Sequence, residues 1–514
     1  MSPYALHSLS KSFSDNIAKI TTPDWVKDAI FYQIFPDRFA KGKLGFIPAN
    51  LQPWGTAPTI HGFQGGNLAG IMEKLDYLVD LGINAIYLNP IFASASNHRY
   101  HTYDYYQIDP LLGSDKVFRQ LLDAAHTRGI RVILDGVFNH VSRGFFQFNH
   151  ILECGSESPY VDWFHIKGYP LYAYHTSRKP NYAAWWGLRA LPKLNTDNPE
   201  VRRFIFDVAR YWIDFGIDGW RLDVPNEIDD DEFWREFRQV VKDANPEAYL
   251  VGEIWVDEIH KDAKRWLQGD QFDAIMNYGF RSACLSFFIG NQIEKSLTHR
   301  RPHRHIELLD AESFALRIEN ILGNYPPEVV YAQYNMLESH DTARYLSILK
   351  GDKRIFKLAV TFQMTYPGAP AIYYGSEIGL EGRHDPDCRR AMPWDQAQWD
   401  TEVLEHYKKL ISIRKSHPAL RRGDYQALYA DASHGIYAFI RCLDNDKLVI
   451  ILNNSDKNYL LDVPTGDYFT DGTELECLLS GSSFIVKGKK VCGSALLPRS
   501  GIILSLVSDN GLEL

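Results

Sequence analysis

From Ala29 onward, short apolar runs alternate with longer stretches in which apolar residues recur every three or four positions. The short runs read as buried strands and the longer ones as amphipathic helices. "AIFYQIFPDRF" (Ala29 to Phe39) is the first strand-like run, and "NLAGIMEKLDYLVDLG" (Asn67 to Gly82) is a helix ending at a glycine. "INAIYLNP" predicts a strand, "SDKVFRQLLDAAHTRG" a helix, and "IRVILDGVFNH" (Ile130 to His140) the third strand. Beyond Asn195, "PEVRRFIFDVARYWIDFG" is a helix with proline in its first turn. "IDGWRLDV", "AYLVGEIW", "FDAIMN", "QYNMLESHD" and "PAIYYGSEIG" bring the strands to eight. "DDEFWREFRQVVKDA" and "DKRIFKLAVTFQMTY" are helices among them. Near-continuous apolar strands between helices predict a parallel sheet covered on both faces. Eight such units predict an α/β chain with a (β/α)8 TIM barrel. A doubly wound open sheet is the alternative, but a nucleotide-binding version needs a Gly-rich loop after an early strand, and none is present.

Two segments break this rhythm. Residues 141–195, rich in Tyr, Trp, Pro and Gly, read as an irregular subdomain inserted after the third strand. After "HYKKLISIRKSHPAL" (His406 to Leu420), the runs "YQALYA", "GIYAFIRC", "KLVIILNN" and "GIILSLV" predict a C-terminal antiparallel β-sandwich. The expected organisation is an N-terminal extension over 1–24, a catalytic barrel over 25–420, and the β-domain over 421–514.

Composition narrows the function classes. A formal net charge of -9 over 514 residues gives no electrostatic footprint for nucleic acid or an anionic membrane. The nearest basic run, "THRRPHRH" (Thr298 to His305), reads as a solvated loop. The six cysteines form no CxxC pair, which leaves zinc and thioredoxin-type chemistry unsupported and fits a reducing compartment. The N-terminus has no apolar signal core, and no run reaches the roughly 18 apolar residues that span a bilayer. These features predict a cytoplasmic protein that engages neither nucleic acid nor membrane.

The polar residues that interrupt the apolar strands fall at strand ends. Asp135, Asn139 and His140 follow strand three, Arg221 and Asp223 strand four, Glu253 strand five, and His340 and Asp341 strand seven. One such carboxylate is usually a helix cap or an ion pair. Several converging on the C-terminal mouth of a barrel crowd negative charge where chemistry is done. A pair of carboxylates facing a cleft suggests glycoside hydrolysis, which needs one ionised nucleophile and one protonated acid. Arg221, two residues before Asp223 and on the same strand face, favours the charged form of Asp223. Glu253 stands between Val251, Gly252, Ile254 and Trp255, an apolar wall expected to keep it protonated.

With "DGVFNH", "GWRLDVPNE", "GEIW" and "ESHD" in this order, the chain resembles the α-amylase family of glycoside hydrolases (family 13) from about Trp25 onward. "LPKLN" (Leu191 to Asn195), "SASNHRYHTYDYYQIDPLLG" and "DPDCRRAMPWD" make it most similar to the cyclomaltodextrinase, neopullulanase and maltogenic amylase group. Within that group it looks nearest to bacterial debranching-type members without an N-terminal domain. The resemblance implies that Asp223 is the nucleophile, Glu253 the general acid/base and Asp341 a stabiliser of the transition state. It implies that Arg221 orients Asp223, that His140 and His340 hydrogen-bond the sugar at subsite −1, and that Tyr100 stacks beneath it. Asp385 and Arg389 match residues that hold the sugar at −2.

Three departures from the family pattern carry expectations. About 24 residues precede the barrel where the group carries a β-domain that pairs subunits. The chain is therefore expected to be a monomer, or a dimer formed by another route, with a cleft open to long chains and walled by Tyr182, Trp185 and Trp186. His101 stands in "HRYHT" where the family has an aspartate. "RFAKGKLGFIPAN" offers few of the roughly six to eight oxygens calcium takes, so no metal or other cofactor is expected to be required. The favoured activity is retaining hydrolysis of α-1,4 and also α-1,6 bonds in maltooligosaccharides, cyclodextrins, pullulan or related glucans. A 4-α-glucanotransferase using the same residues and a non-catalytic glucan-binding relative remain open as alternatives.

Overall fold

Eight short parallel strands form the centre: Phe31–Ile34, Ala85–Leu88, Arg131–Gly136, Gly219–Leu222, Tyr249–Gly252, Ala274–Ile275, Tyr334–Met336 and Ala369–Tyr373. The first six neighbour one another in chain order, and the eighth pairs with both the first and the seventh. A parallel bridge between Met276 and Tyr334 joins the sixth to the seventh and closes a barrel. The computed structural model describes residues 20–43, 47–175, 177–255, 263–289, 293–298 and 306–507. The basic run from 299 to 305, the first 19 residues and part of the loop after the first strand lie outside them.

The alternation of strand side chains sorts the barrel into two faces. Phe31, Tyr87, Ile133, Tyr249, Val251, Met276, Tyr334 and Met336 fill the interior. Tyr32, Ile86, Leu134, Trp220, Leu222 and Leu250 pack outward on the helices. Where the fourth and fifth strands meet, Gly219 has φ +153°, and a Cβ there would lie 2.1 Å from the Tyr249 carbonyl oxygen. Only glycine permits that approach.

Helix boundaries follow local chemistry. Ser114 caps Asp115–Thr127, Asn198 caps Pro199–Asp214, Asp230 caps Asp231–Ala244, and Asp352 caps Lys353–Thr365, each accepting from a first-turn N–H. The helix expected over 67–82 is two, Leu68–Glu73 and Leu75–Leu81, broken at Lys74 and ended by Gly82 in the left-handed region. The first strand is shorter than expected because Pro36 opens a helical turn, Pro36–Phe39. A hairpin of Phe92–Ser94 and Thr102–Ile108 after the second strand carries the loop with His98, Tyr100 and His101. The described part of 141–195 holds one α-helix, Phe146–Cys154, three single 3-10 turns, Gly155–Glu157, Val161–Trp163 and Trp185–Gly187, and isolated bridges such as Ala184 to Pro192.

Eight antiparallel strands follow the barrel, from Asp424–Asp431 to Ser500–Leu506. The first half of Ser483–Lys487 pairs with Glu474–Cys477 and its last residues with Lys490–Leu496, so the sheet passes between layers within one strand. Ile436, Ala438, Val449, Ile451, Leu475 and Val491 fill the space between the layers. The opposite face packs on the barrel through Tyr437 against Phe314 (5.2 Å between ring centres) and Phe439 against Phe362 (5.7 Å). Among the described residues no helix is long and apolar enough to cross a membrane.

Candidate active site

The strand period that puts Trp220 and Leu222 on the helices turns Arg221 into the barrel, and the same face continues to Asp223 just beyond the strand end. Arg221 is register partner to Asp135 on the third strand and Val251 on the fifth, and Glu253 stands two residues past Val251. One buried guanidinium therefore meets three carboxylates. Arg221 Nη1 lies 2.8 Å from Asp135 and 2.9 Å from Asp223, and Nη2 lies 2.8 Å from Glu253. The turn after Asp223 is strained: Val224, a β-branched residue, has φ 38° and ψ 51°, a conformation that costs about 1–3 kcal/mol. That turn aims the Val224 N–H at Glu253 Oε2, 3.2 Å away.

Glu253 does not sit against the apolar wall its neighbours suggest. Its Oε1 accepts from Trp255 Nε1 at 3.0 Å and from Tyr278 OH at 3.3 Å, and lies 2.8 Å from Arg221 Nη2 as an ion pair. Burial still raises its pKa above the ordinary carboxylate range, helped by Asp341 and opposed by Arg221. Asp223 departs further from expectation. Arg221 pulls its pKa down, but burial outweighs that pull, and Glu253 and Asp135 add to the rise, so the net shift is well upward. Asp135 and Asp341 are also raised by burial, against Arg221 and Arg389 respectively. Burial thus favours the protonated form at each of the four carboxyls.

A second network fixes the aromatic side. Tyr100 OH donates to Asp135 Oδ2 at 2.7 Å and lies 2.7 Å from His340 Nε2, with the two rings stacked at 5.5 Å and 7°. Gln33 Nε2 donates to His340 Nδ1 at 2.8 Å and to Asn89 Oδ1 at 3.1 Å. The His340 proton therefore sits on Nε2, between Tyr100 and Asp341 Oδ2 at 3.1 Å. Burial, with Arg389 and Arg221 adding to it, holds His340 well below the usual histidine range, and burial pushes His140 down to about 3. Both rings are neutral. His140 Nδ1 lies 3.2 Å from the Asn139 amide, while its buried Nε2 has no hydrogen-bond partner among the described residues. Arg389 donates to the His340 carbonyl at 2.9 Å and pairs with Asp385 at 2.9 Å and Asp341 at 3.4 Å.

These groups meet a cleft of about 540 Å³ lined by Asp223, Glu253, Asp341, Tyr100, His140, His340, Asp385 and Arg389. Eight of the nine residues singled out from the sequence thus share one cavity, and Arg221 lies beneath it. Trp185 and Trp186 line the wall and stack at 4.6 Å, with Trp185 stacked on His140 at 5.1 Å. Tyr182, expected beside them, is instead buried against Phe148, its hydroxyl on the Arg189 carbonyl. His101 also lines the cleft, with burial pushing its pKa down to about 4, so the departure from aspartate leaves a neutral side chain there. Sequence reasoning did not single out Gln33, Asn89, Trp255 or Tyr278. Strand parity marks Gln33, which keeps the inward-facing phase of Phe31–Ile34, whereas Tyr278 opens the helix Tyr278–Phe288 beyond the sixth strand.

Known proteins give this geometry a context. Residues 33–423 match the family described as "Alpha amylase, catalytic domain", and residues 425–503 match "Neopullulanase-like, C-terminal domain". The chain is similar to a cyclomaltodextrinase of Geobacillus thermopakistaniensis, at 45% identity over 97% of this chain and 80% of that protein. Among solved structures it is similar to Ttha1563 of Thermus thermophilus (TM-score 0.89, 48% identity, 94% of this chain and 100% of that one). It is also similar to the native-form debranching enzyme of Nostoc punctiforme (TM-score 0.86, 47% identity, 95% of this chain and 100% of that one).

Proposed function

The chain belongs to the α-amylase family of glycoside hydrolases, and from that premise we propose that it cleaves α-1,4-glucosidic bonds in maltooligosaccharides and related α-glucans by double displacement, with retention of configuration. The observation that carries this reading is the sharing of Arg221: Asp223 and Glu253 take adjacent nitrogens of one guanidinium. Carboxylates held side by side in this way support the ~5–5.5 Å separation of retaining enzymes rather than the wider gap that admits a water.

In this reading Asp223 is the nucleophile. Its Oδ1 is held by Arg221, and Oδ2, which takes no hydrogen bond from the described residues, attacks the anomeric carbon as the glycosidic bond breaks. Glu253 gives its proton to the leaving oxygen. With two donors and the Arg221 charge already on Oε1, that proton belongs on Oε2. In the second half-reaction Glu253 takes the proton back from a water, whose oxygen displaces Asp223 from the sugar. Asp341 binds hydroxyls of the distorted ring, His140 Nε2 and the His340 Nε2–H reach the same sugar, and Tyr100 forms its floor. Asp385 and Arg389 hold the next unit. Asp223 and Glu253 cannot both be charged cheaply in so buried a pair, and one proton between them on Glu253 leaves Asp223 ready to attack. We read the catalytic unit as residues 25–420 with the insertion over 141–195, and the β-domain as starting near 421. Six unpaired cysteines support a reducing compartment such as the cytoplasm as its place of action.

The test is a product profile on maltotriose, maltooctaose, pullulan and β-cyclodextrin, with Asp223→Asn alongside. Reducing ends should appear with the native chain and vanish with the variant, whose circular dichroism should be unchanged. Chains longer than the substrate made from maltotriose would favour a glucanotransferase, and α-1,6 cleavage of pullulan would extend the linkage range. No new reducing ends on any substrate would reject the reading.

A further inference from the structure

The segment after the first barrel strand brings Ile60 to the mouth of the cleft, where it lines the cavity with 63% of its surface exposed. An exposed isoleucine would be unremarked on a loose loop, but this loop tip is held by buried polar groups. The Asn97 side chain, 4% exposed, places Nδ2 3.2 Å from the carbonyl of Thr59, 3.2 Å from that of Ile60 and 2.8 Å from that of Gly62. Arg38, 1% exposed, donates to the same Gly62 carbonyl at 2.6 Å. The Thr59 hydroxyl accepts from Gln52 at 3.2 Å and from the Gly62 N–H at 3.0 Å, and the Arg99 guanidinium covers Phe63 at 5.6 Å. The Ile60 backbone therefore cannot swing aside without breaking hydrogen bonds to the buried Asn97 and Arg38 side chains, whose polar groups would be left unsatisfied.

The same contacts place it at one end of the cleft. Arg38 Nη1 donates to the Arg389 carbonyl at 3.3 Å, so one guanidinium ties the loop tip to the residue that pairs with Asp385. Under the proposed function, Asp385 and Arg389 hold the second sugar on the non-reducing side of the scissile bond. A third sugar beyond them would meet Ile60. Its hydroxyls would give up water and find no donor or acceptor on that side chain, which disfavours its binding.

We propose that Ile60 is a specificity-determining residue that limits the non-reducing half of the substrate to two glucose units. The inference rests on the assignment of Asp385 and Arg389 under the proposed function. Trp186 and Leu188, 68% and 48% exposed, also line the cleft, but neither is tied to Arg389 through Arg38 as the Ile60 loop is.

The experiment compares the native chain, Ile60→Ala and Ile60→Trp on linear maltooctaose labelled at its reducing end, with unlabelled products sized at early conversion. The native chain should release mainly disaccharide from the unlabelled end. Ile60→Ala should raise the ratio of tri- and tetrasaccharide to disaccharide by about fivefold or more, the scale of relieving one packed overlap. Ile60→Trp should lower that ratio. The same ratio in all three proteins overturns the inference while leaving the functional reading intact. So does a lower kcat/KM in Ile60→Ala with an unchanged ratio, because Ile60 would then assist long chains rather than stop them. A native chain that leaves maltooctaose uncut removes the functional reading and this inference together.

Discussion

Replacing Arg221 by lysine removes the forked guanidinium that three buried carboxylates share. The guanidinium reaches Asp135, Asp223 and Glu253 through two nitrogens at 2.8–2.9 Å, with 1% of its side chain exposed. A lysine ammonium is a single point charge without the planar fork and cannot serve all three. Breaking a buried pair by removing one partner costs about 3–5 kcal/mol, because charge is left uncompensated. At roughly 2.1 cal/mol/K per residue, unfolding 514 residues carries an entropy of about 1.1 kcal/mol/K. Arg221→Lys should then lower the calorimetric Tm by about 3–5 °C at pH 7. The pH dependence gives the sharper check. A lysine that reaches fewer of the carboxylates weakens the main influence lowering the Asp223 and Glu253 pKa values, so the abandoned carboxyls rise further above their unfolded values. For a carboxyl raised on folding, the penalty is fully present above the folded pKa and shrinks as pH falls toward the unfolded value near 4. The gap in Tm between the native chain and Arg221→Lys should therefore narrow on acidification from pH 7 to 5. A gap that stays constant or widens, or a Tm unchanged at pH 7, would refute the electrostatic role given to Arg221.

Glu253→Gln should lose ~10²–10⁴-fold in rate on maltooligosaccharides, and much less on an α-glucosyl fluoride, whose leaving group needs little protonation. Equal losses on both would reject the acid role. Trp186, exposed on the cleft wall, should matter only to substrates long enough to reach it. In Trp186→Ala, kcat/KM on maltooctaose should fall about fivefold, while maltotriose changes little and Tm stays put. In the native chain kcat/KM should rise from maltotriose to maltooctaose, with β-cyclodextrin poorer than maltooctaose, and a flat series would place Trp186 outside the substrate path. Prolonged chelation should leave activity and Tm unchanged, since "RFAKGKLGFIPAN" after the first strand offers few of the oxygens calcium takes. A loss restored by calcium would point to oxygen ligands near Asn139, whose buried Oδ1 has no hydrogen-bond partner among the described residues.

The barrel was legible because parallel strands buried on both faces must be apolar almost throughout, so each polar residue at a strand end stands out. Arg221, Asp223 and Glu253 were found on that contrast. Strand limits were less legible: Pro36 ends the first strand early, and the sixth keeps two residues, because tertiary packing sets where a ladder stops. In the C-terminal domain, the runs "GIYAFIRC" and "KLVIILNN" fall on strands buried over most of their length, Ile436–Leu443 and Asp446–Asn453. Tyr459–Pro464 and Ser483–Lys487, half exposed, gave little signal. The electrostatic reading of Asp223 needed the structure. Residue spacing shows Arg221 beside it, but the burial that outweighs Arg221 and the nearness of Glu253 and Asp135 come from three separate strands. Tyr182 and Trp186 differ for a similar reason. They share one aromatic segment, and the φ of 49° at Trp186 turns its ring outward from the packing that takes Tyr182 in.

The central claim is that Asp223 and Glu253 act as a retaining pair held on one guanidinium. Proton NMR of the first products from maltooctaose tests it most directly, because the anomeric proton of a newly formed reducing end reports its configuration before mutarotation. The account predicts that the α-anomer appears first, since two carboxylates this close form and break a covalent intermediate with two inversions. Initial appearance of the β-anomer would mean a single displacement by water and would contradict it.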